Sequence, residues 1–262
     1  MTIRRGTLLL IASLLALPGT AGAWGSDCKF GADRTASLDT RGVERVEIHA
    51  RAGDLTVKPA TGAAVSASGR ACASSEKVLE QTQIKLRRDG DVLQVLVQVP
   101  EDMQGIGIFY ASLDLTVAVP AALPVEVTDS SGDMTLDGVR VTRITDSSGD
   151  ILARGLPGDV EINDSSGDII VQQAVGGVRI SDSSGDIVVH GARDVLIPHD
   201  SSGDIRIEQV SGNVRIDQDS SGQVKVSGVK EAVGITLSTA QLEECKRKDV
   251  PRAEFLLCDY RE

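Results

Sequence analysis

The side chains with the most chemical potential in this sequence are aspartates and serines set in a repeated five-residue string. DSSGD begins at Asp129, Asp146, Asp164, Asp182 and Asp200, and DSSGQ begins at Asp219. Stacked in register, the strings would place Asp146, Asp164, Asp182 and Asp200 in one row and Asp150, Asp168, Asp186 and Asp204 in a second. Carboxylates about 5 Å apart repel by roughly 1 kcal/mol in water, and more where the dielectric is lower. Calcium bound by these eight aspartates would offset that repulsion, since it takes several oxygen ligands in irregular geometry. Turn chemistry is the other reading. Asp and Ser side chains bond to nearby backbone, and Gly supplies positive φ without steric cost.

Catalytic constellations are poor by comparison. A serine nucleophile needs one positioned base, whereas these serines recur in six strings and the histidines, His49, His190 and His199, are scattered. The histidines read as surface residues. The acids are spread evenly along the chain instead of gathering in one cleft, and no aromatic platform accompanies them. A polysaccharide-active enzyme is therefore the distant alternative, and catalytic residues are expected to be none. No cofactor motif is present, calcium aside.

The elements that must position these groups are legible in the spacing. From Ser147 the chain divides into nine-residue units, SSGDILARG, LPGDVEIND, SSGDIIVQQ, AVGGVRISD, SSGDIVVHG, ARDVLIPHD, SSGDIRIEQ and VSGNVRIDQ. Two units make an 18-residue period. Alternating β-branched residues bounded by Gly and Asp predict short strands. Each offers two inward side chains: Ile169 and Val171, Val178 and Ile180, Ile187 and Val189, Ile205 and Ile207. A lone strand cannot bury two such residues, but stacked coils can, with parallel strands about 4.8 Å apart. The expected fold is all-β, a flattened parallel β-solenoid with two strands and two turns per coil. Asp129 to Leu237 contains no Phe, Tyr or Trp, as a thin double layer of Ile and Val requires.

The divisions follow from that pattern. Residues 1–23 read as a signal peptide: Arg4 and Arg5, an apolar run from Leu8 to Leu17, then Ala21-Gly22-Ala23. Residues 24–128 read as an irregular N-terminal cap with the first coils, 129–237 as the regular solenoid, and 238–262 as a C-terminal cap. Asp89-Gly90 predicts a hairpin in the cap region. Ile106, Ile108, Phe109 and Tyr110 concentrate apolar and aromatic residues beside glycine, either as packing over the first coil or as an exposed docking loop.

Charge and cysteine usage bound the function. The net charge of −11 falls to −13 when Arg4 and Arg5 leave with the signal peptide. Such a chain repels nucleic acid and anionic lipid. Cys28, Cys72, Cys245 and Cys258 allow three pairings; Cys28–Cys72 and Cys245–Cys258 are preferred, because the middle of the chain holds no cysteine. An oxidising compartment favours such bridges.

Tandem SSGDIxV units behind a signal peptide resemble the bacterial "putative adhesin" domain family of unknown function, whose members look like β-solenoids of the cell envelope. The resemblance covers about residues 40–237 and supplies no catalytic residues. It implies an exported, non-enzymatic structural or interaction module whose partner is an envelope protein or glycan. The periplasm is the favoured location and the cell surface the other. A cation-binding solenoid using the aspartate rows is the alternative. Oligomeric state is not encoded in any of these features.

Overall fold

The computed structural model describes residues 28–100 and 110–237. Strands β1 (Phe30–Asp39), β2 (Arg45–His49), β3 (Leu55–Pro59) and β4 (Ala64–Ala73) precede a short helix, α1 (Glu76–Gln81). Next come β5 (Gln83–Asp89), β6 (Val92–Gln98) and β7 (Ala111–Val119). The repeats then supply β8 (Val125–Thr128), β9 (Met134–Asp137), β10 (Val141–Thr145), β11 (Ile151–Arg154), β12 (Val160–Asn163), β13 (Ile169–Gln172) and β14 (Val178–Ser181). The last are β15 (Ile187–Ala192), β16 (Val195–His199), β17 (Ile205–Val210), β18 (Val214–Asp219), β19 (Val224–Ser227) and β20 (Val233–Leu237).

From β8 onward the strands alternate between two facing sheets. One runs β1-β4-β7-β3-β9-β11-β13-β15-β17-β19, and the other β20-β18-β16-β14-β12-β10-β8-β2-β6-β5. Neighbours in the repeats are parallel and mostly offset by one 18-residue period: Ile169 pairs with Ile187 and Val178 with Val195 across a looped-in slip of one residue. The architecture is the parallel β-solenoid that the nine-residue units predict. The predicted inward pairs, Ile169 and Val171, Val178 and Ile180, Ile187 and Val189, Ile205 and Ile207, are all buried.

A third inward position per coil lies at the corner where the chain leaves the first sheet for the second. Leu156, Ala174, Ala192 and Val210 fill it and are buried. The residue before each must turn sharply and takes positive φ: Gly155 at 60°, Gln173 at 56°, Gly191 at 82° and Gln209 at 59°. The opposite corner carries DSSGD. The flattened core is thus closed by apolar side chains at one end and by aspartates at the other.

The N-terminal third does not stack in chain order. The coil formed by β2 and β3 lies between the later coils β6–β7 and β8–β9. Beyond it, β4 pairs antiparallel with both β1 and β7, and β5 pairs antiparallel with β6 through the Gly90-Asp91 turn. Ser75 caps α1 by accepting from the Val78 amide at 3.3 Å. Arg34 then ties the far end of the helix to β1 by donating to the Leu79 and Thr82 carbonyls at 2.7 and 2.8 Å. Cys28 and Cys72 form a disulfide with a Cα–Cα distance of 5.5 Å, fixing the start of the described chain to β4. Cys245 and Cys258 lie outside the described residues, as does the proposed C-terminal cap. Among the described residues no helix is long and apolar enough to cross a membrane.

Candidate functional site

Each letter of DSSGD has its own place at the corner. The first aspartate closes the polar end of the core. Asp129, Asp146, Asp182 and Asp200 are 3% exposed or less. In the first four strings, Oδ1 of this aspartate accepts the amide of the serine that follows: Ser130, Ser147, Ser165 and Ser183 donate at 2.7–2.8 Å. Oδ2 of Asp129, Asp146, Asp164 and Asp182 is buried with no partner, and the buried Asp200 carboxyl faces that of Asp219 in the next string. Burial is the main reason these carboxyls lose their protons only at higher pH than usual, and neighbouring aspartates add to it. Asp146 and Asp182 are pushed up to about 6, Asp129 and Asp200 to about 7, and Asp164 is raised. The serine amides pull the other way without cancelling the effect.

The serines stitch the coils together. The second serine donates its hydroxyl to the first serine's carbonyl one coil back: Ser166 to Ser147 at 3.0 Å, Ser184 to Ser165 at 3.1 Å and Ser202 to Ser183 at 3.2 Å. Its own carbonyl accepts the glycine amide of the preceding coil, as Ser184 does from Gly167 at 3.0 Å. Gly185 sits at φ 135°, and a Cβ there would overlap the Gly167 carbonyl. This column admits no side chain.

The last aspartate of each string is exposed, and its Oδ1 is engaged by the next coil. Asp168 donates its amide to Asp150 at 2.9 Å, Asp186 to Asp168 at 2.9 Å, Asp204 to Asp186 at 2.8 Å and Gln223 to Asp204 at 2.9 Å. The row extends upstream through Asp150 to Asp133 at 3.1 Å, Asp133 to Asp54 at 3.2 Å and Asp54 to Asp114 at 3.0 Å. Asp54 and Asp114 do not belong to any DSSGD string. The Gly53-Asp54 pair carried a signal for the first, whereas Asp114 is an unremarkable outward residue of β7.

The eight aspartates considered as calcium ligands therefore divide between a buried row and an exposed one. Among the described residues no three acidic, histidine or cysteine side chains converge as a metal site would require. His49 and His190 face Glu47 and Glu208 at 3.8 and 3.3 Å, and His199 contacts the Ser201 hydroxyl at 3.0 Å. Of the aromatic loop, Ile106, Ile108 and Phe109 lie outside the described residues. Tyr110 is tied down: its hydroxyl accepts the Lys29 amide at 3.1 Å, and its carbonyl accepts the Ser74 amide at 3.0 Å.

The strand faces largely satisfy their own charges. Glu161 accepts Arg143 at 3.0 Å and Arg179 at 3.8 Å across three neighbouring strands, Arg206 pairs with Glu208 at 2.6 Å, and Arg215 pairs with Asp217. Among the described residues Lys225, on the terminal strand β19, has no acid within ion-pair distance.

Residues 36–227 match the Toastrack DUF4097 family. Among solved structures, a "putative cell adhesion protein" of Clostridium sporogenes aligns at 10% identity and TM-score 0.39, over 80% of this chain and 100% of that one. A "putative lipid binding protein" of Parabacteroides distasonis aligns at 14% identity and TM-score 0.41, over 78% and 95%. A "putative adhesin" of Bacteroides fragilis aligns at 13% identity and TM-score 0.34, over 79% and 95%. Among curated proteins none matches this chain.

Proposed function

The chain belongs to the Toastrack DUF4097 family, and from that premise we propose that it is an exported, non-enzymatic β-solenoid serving the bacterial cell envelope as a structural or adhesin-like interaction module. The observation that carries this reading is the fate of the repeat. The second serine's hydroxyl and one oxygen of each outer carboxylate bond to a neighbouring coil, so the motif builds a stacked body with long flat faces. The contact between Ser201 and His199 is the nearest approach to a nucleophile and base. Among the described residues no carboxylate bonds the other ring nitrogen to orient it, as the third group of such a constellation does.

Export is supported by the signal-like residues 1–23 and by the Cys28–Cys72 bridge, which persists in an oxidising compartment. The test is to express the full chain in a Gram-negative host, fractionate the cells and probe the thiols. Processed protein in the periplasm, with Cys28 and Cys72 closed to maleimide, is the expected result. Full-length protein in the cytoplasm with reactive thiols overturns the export reading. Retention of the purified protein on isolated envelope material tests the interaction role, and failure to bind any envelope fraction argues against it.

A further inference from the structure

Among the described residues, four of the positive side chains that have no acid within ion-pair distance line one place. The outer face of β2, β6 and β5 is the floor of a concavity of about 1760 Å³, with α1 as one wall. Register places Glu47, Gln94 and Arg87 in one cross-strand row and His49, Leu96 and Lys85 in the next. Arg51 and Lys77 complete the lining. Among the described residues Arg51, Lys77, Lys85 and Arg87 have no acid within ion-pair distance, whereas Arg143, Arg179, Arg206 and Arg215 on the repeat faces are all paired. Arg87 spends its Nε on Gln94 at 2.6 Å, and its terminal nitrogens bond no acid among the described residues. Glu80 is the acid in the lining, and Glu47 at the margin is already held by Arg45 and Gln94 at 3.0 and 2.7 Å.

We propose that this groove binds an acidic polysaccharide, its arginines and lysines holding the carboxylates and its glutamines holding the hydroxyls. The inference rests on the envelope-module reading and assigns it a site. Size is the first argument, since small-molecule pockets span about 300–1,000 Å³ and this groove suits a polymer. Lys85 and Arg87 project two residues apart along β5, about 7 Å, so successive charges are met in a line. Gln83, Gln94 and Gln98 set amides among the cations, and an amide both donates and accepts, as a sugar hydroxyl does.

An acidic peptide is the competing occupant, since its backbone seeks an open sheet edge and β5 is the terminal strand of its sheet. The glutamine amides among the cations, suited to sugar hydroxyls, favour the polysaccharide. Single-stranded nucleic acid stacks its bases on aromatic rings, and among the described residues no Phe, Tyr or Trp lines the groove. The acidic remainder of the protein does not cancel the site, because charges beyond about 8 Å are largely screened at physiological salt.

The test is isothermal titration of the full chain with oligogalacturonate, with poly-L-glutamate and neutral dextran as parallel arms. Oligogalacturonate alone is expected to bind, more weakly as sodium chloride is raised from about 50 to about 200 mM. The double variant Lys85→Glu/Arg87→Glu is expected to raise Kd about tenfold or more, while Lys225→Glu at the far end leaves it unchanged. Should the double variant fold poorly, protection of Lys77 and Lys85 from acetylation by bound oligogalacturonate in the unaltered protein gives the same answer. No binding, equal binding of poly-L-glutamate, or acetylation unaffected by the ligand overturns the proposal. Envelope material that retains the unaltered protein and the double variant equally overturns the groove assignment while leaving the envelope-module reading intact.

Discussion

The amide of Asp168 donates to Oδ1 of Asp150, eighteen residues earlier, at 2.9 Å, and the Asp186 amide donates to Asp168 in the same way. Each outer aspartate is thus an acceptor for the coil that follows it.

Removing that acceptor strands an amide. Asp168→Ala is expected to lower stability by about 1 kcal/mol, the usual worth of such a bond, because the Asp186 amide loses its partner. Asp168→Asn keeps the carbonyl oxygen and should recover most of the loss. Urea denaturation of the three proteins checks this order; equal losses in Ala and Asn would mean the charge matters and the bond does not.

The buried row predicts an unusual pH profile. An ordinary aspartate titrates near 3.8, whereas Asp182 is pushed up to about 6 and Asp129 and Asp200 to about 7. Between those values the folded state binds more protons than the unfolded state, so stability falls as pH rises through the window. The contribution is complete below 3.8 and gone above about 7. Asp39, Glu47, Asp194 and Glu208 are shifted the other way by their partners, but they lose that contribution only at lower pH and are well screened by solvent. Asp182→Asn should flatten the profile and stabilise the protein at pH above 7. Melting curves that rise steadily from acid to neutral pH would falsify this account. Added calcium or EDTA is expected to leave the curves superimposed.

The glycine column should tolerate nothing larger. Gly185→Ala puts a methyl group into the Gly167 carbonyl at a positive φ, and a loss of at least about 3 kcal/mol is expected, in the range of severe backbone clashes. Gly62, with open space around its Cβ position, is the control. Gly62→Ala should melt with the unaltered protein, and a comparable loss there would remove the stacking explanation.

The apolar corner carries strain that can be relieved. Gln173 at φ 56° occupies a conformation that costs an L-residue about 1–2 kcal/mol, partly returned by the greater unfolded freedom of glycine. Gln173→Gly should raise stability by about 0.5 kcal/mol, and the β-branched Gln173→Val should lower it. Thermal melting in the order Gly, Gln, Val supports the assignment; Val above Gln sinks it.

Much of this was readable from spacing. Ile169 and Val171 alternate because strands do, and an 18-residue period repeats because coils stack. The position of β2–β3 was not readable, because its Val46, Ile48, Leu55 and Val57 carry the same alternation as every other coil. Periodicity tells a strand which face to bury and does not tell it which neighbour to choose. Nor does it show what a carboxylate meets once the chain has closed. The string Asp-Ser-Ser-Gly-Asp suits a turn first and an ion ligand second, and spacing does not show the amides that each Oδ1 accepts. The groove escaped for a related reason. Lys77, Lys85 and Arg87 lie close in sequence but read as ordinary surface charges, and Arg51 joins them only through sheet pairing.

The inserted coil also constrains how the molecule is made. A chain emerging from its N-terminus presents β2 and β3 directly after β1, yet neither has its permanent neighbours until β6, β7, β8 and β9 have followed, through Asp137. The first coil produced is therefore the one that must wait. The regular repeats can add one upon another as they arrive, but this end of the molecule assembles in a single late step that draws on more than ninety residues at once. Long-range closure of that kind is slow, so the N-terminal end, which holds the groove, is expected to set the pace of maturation.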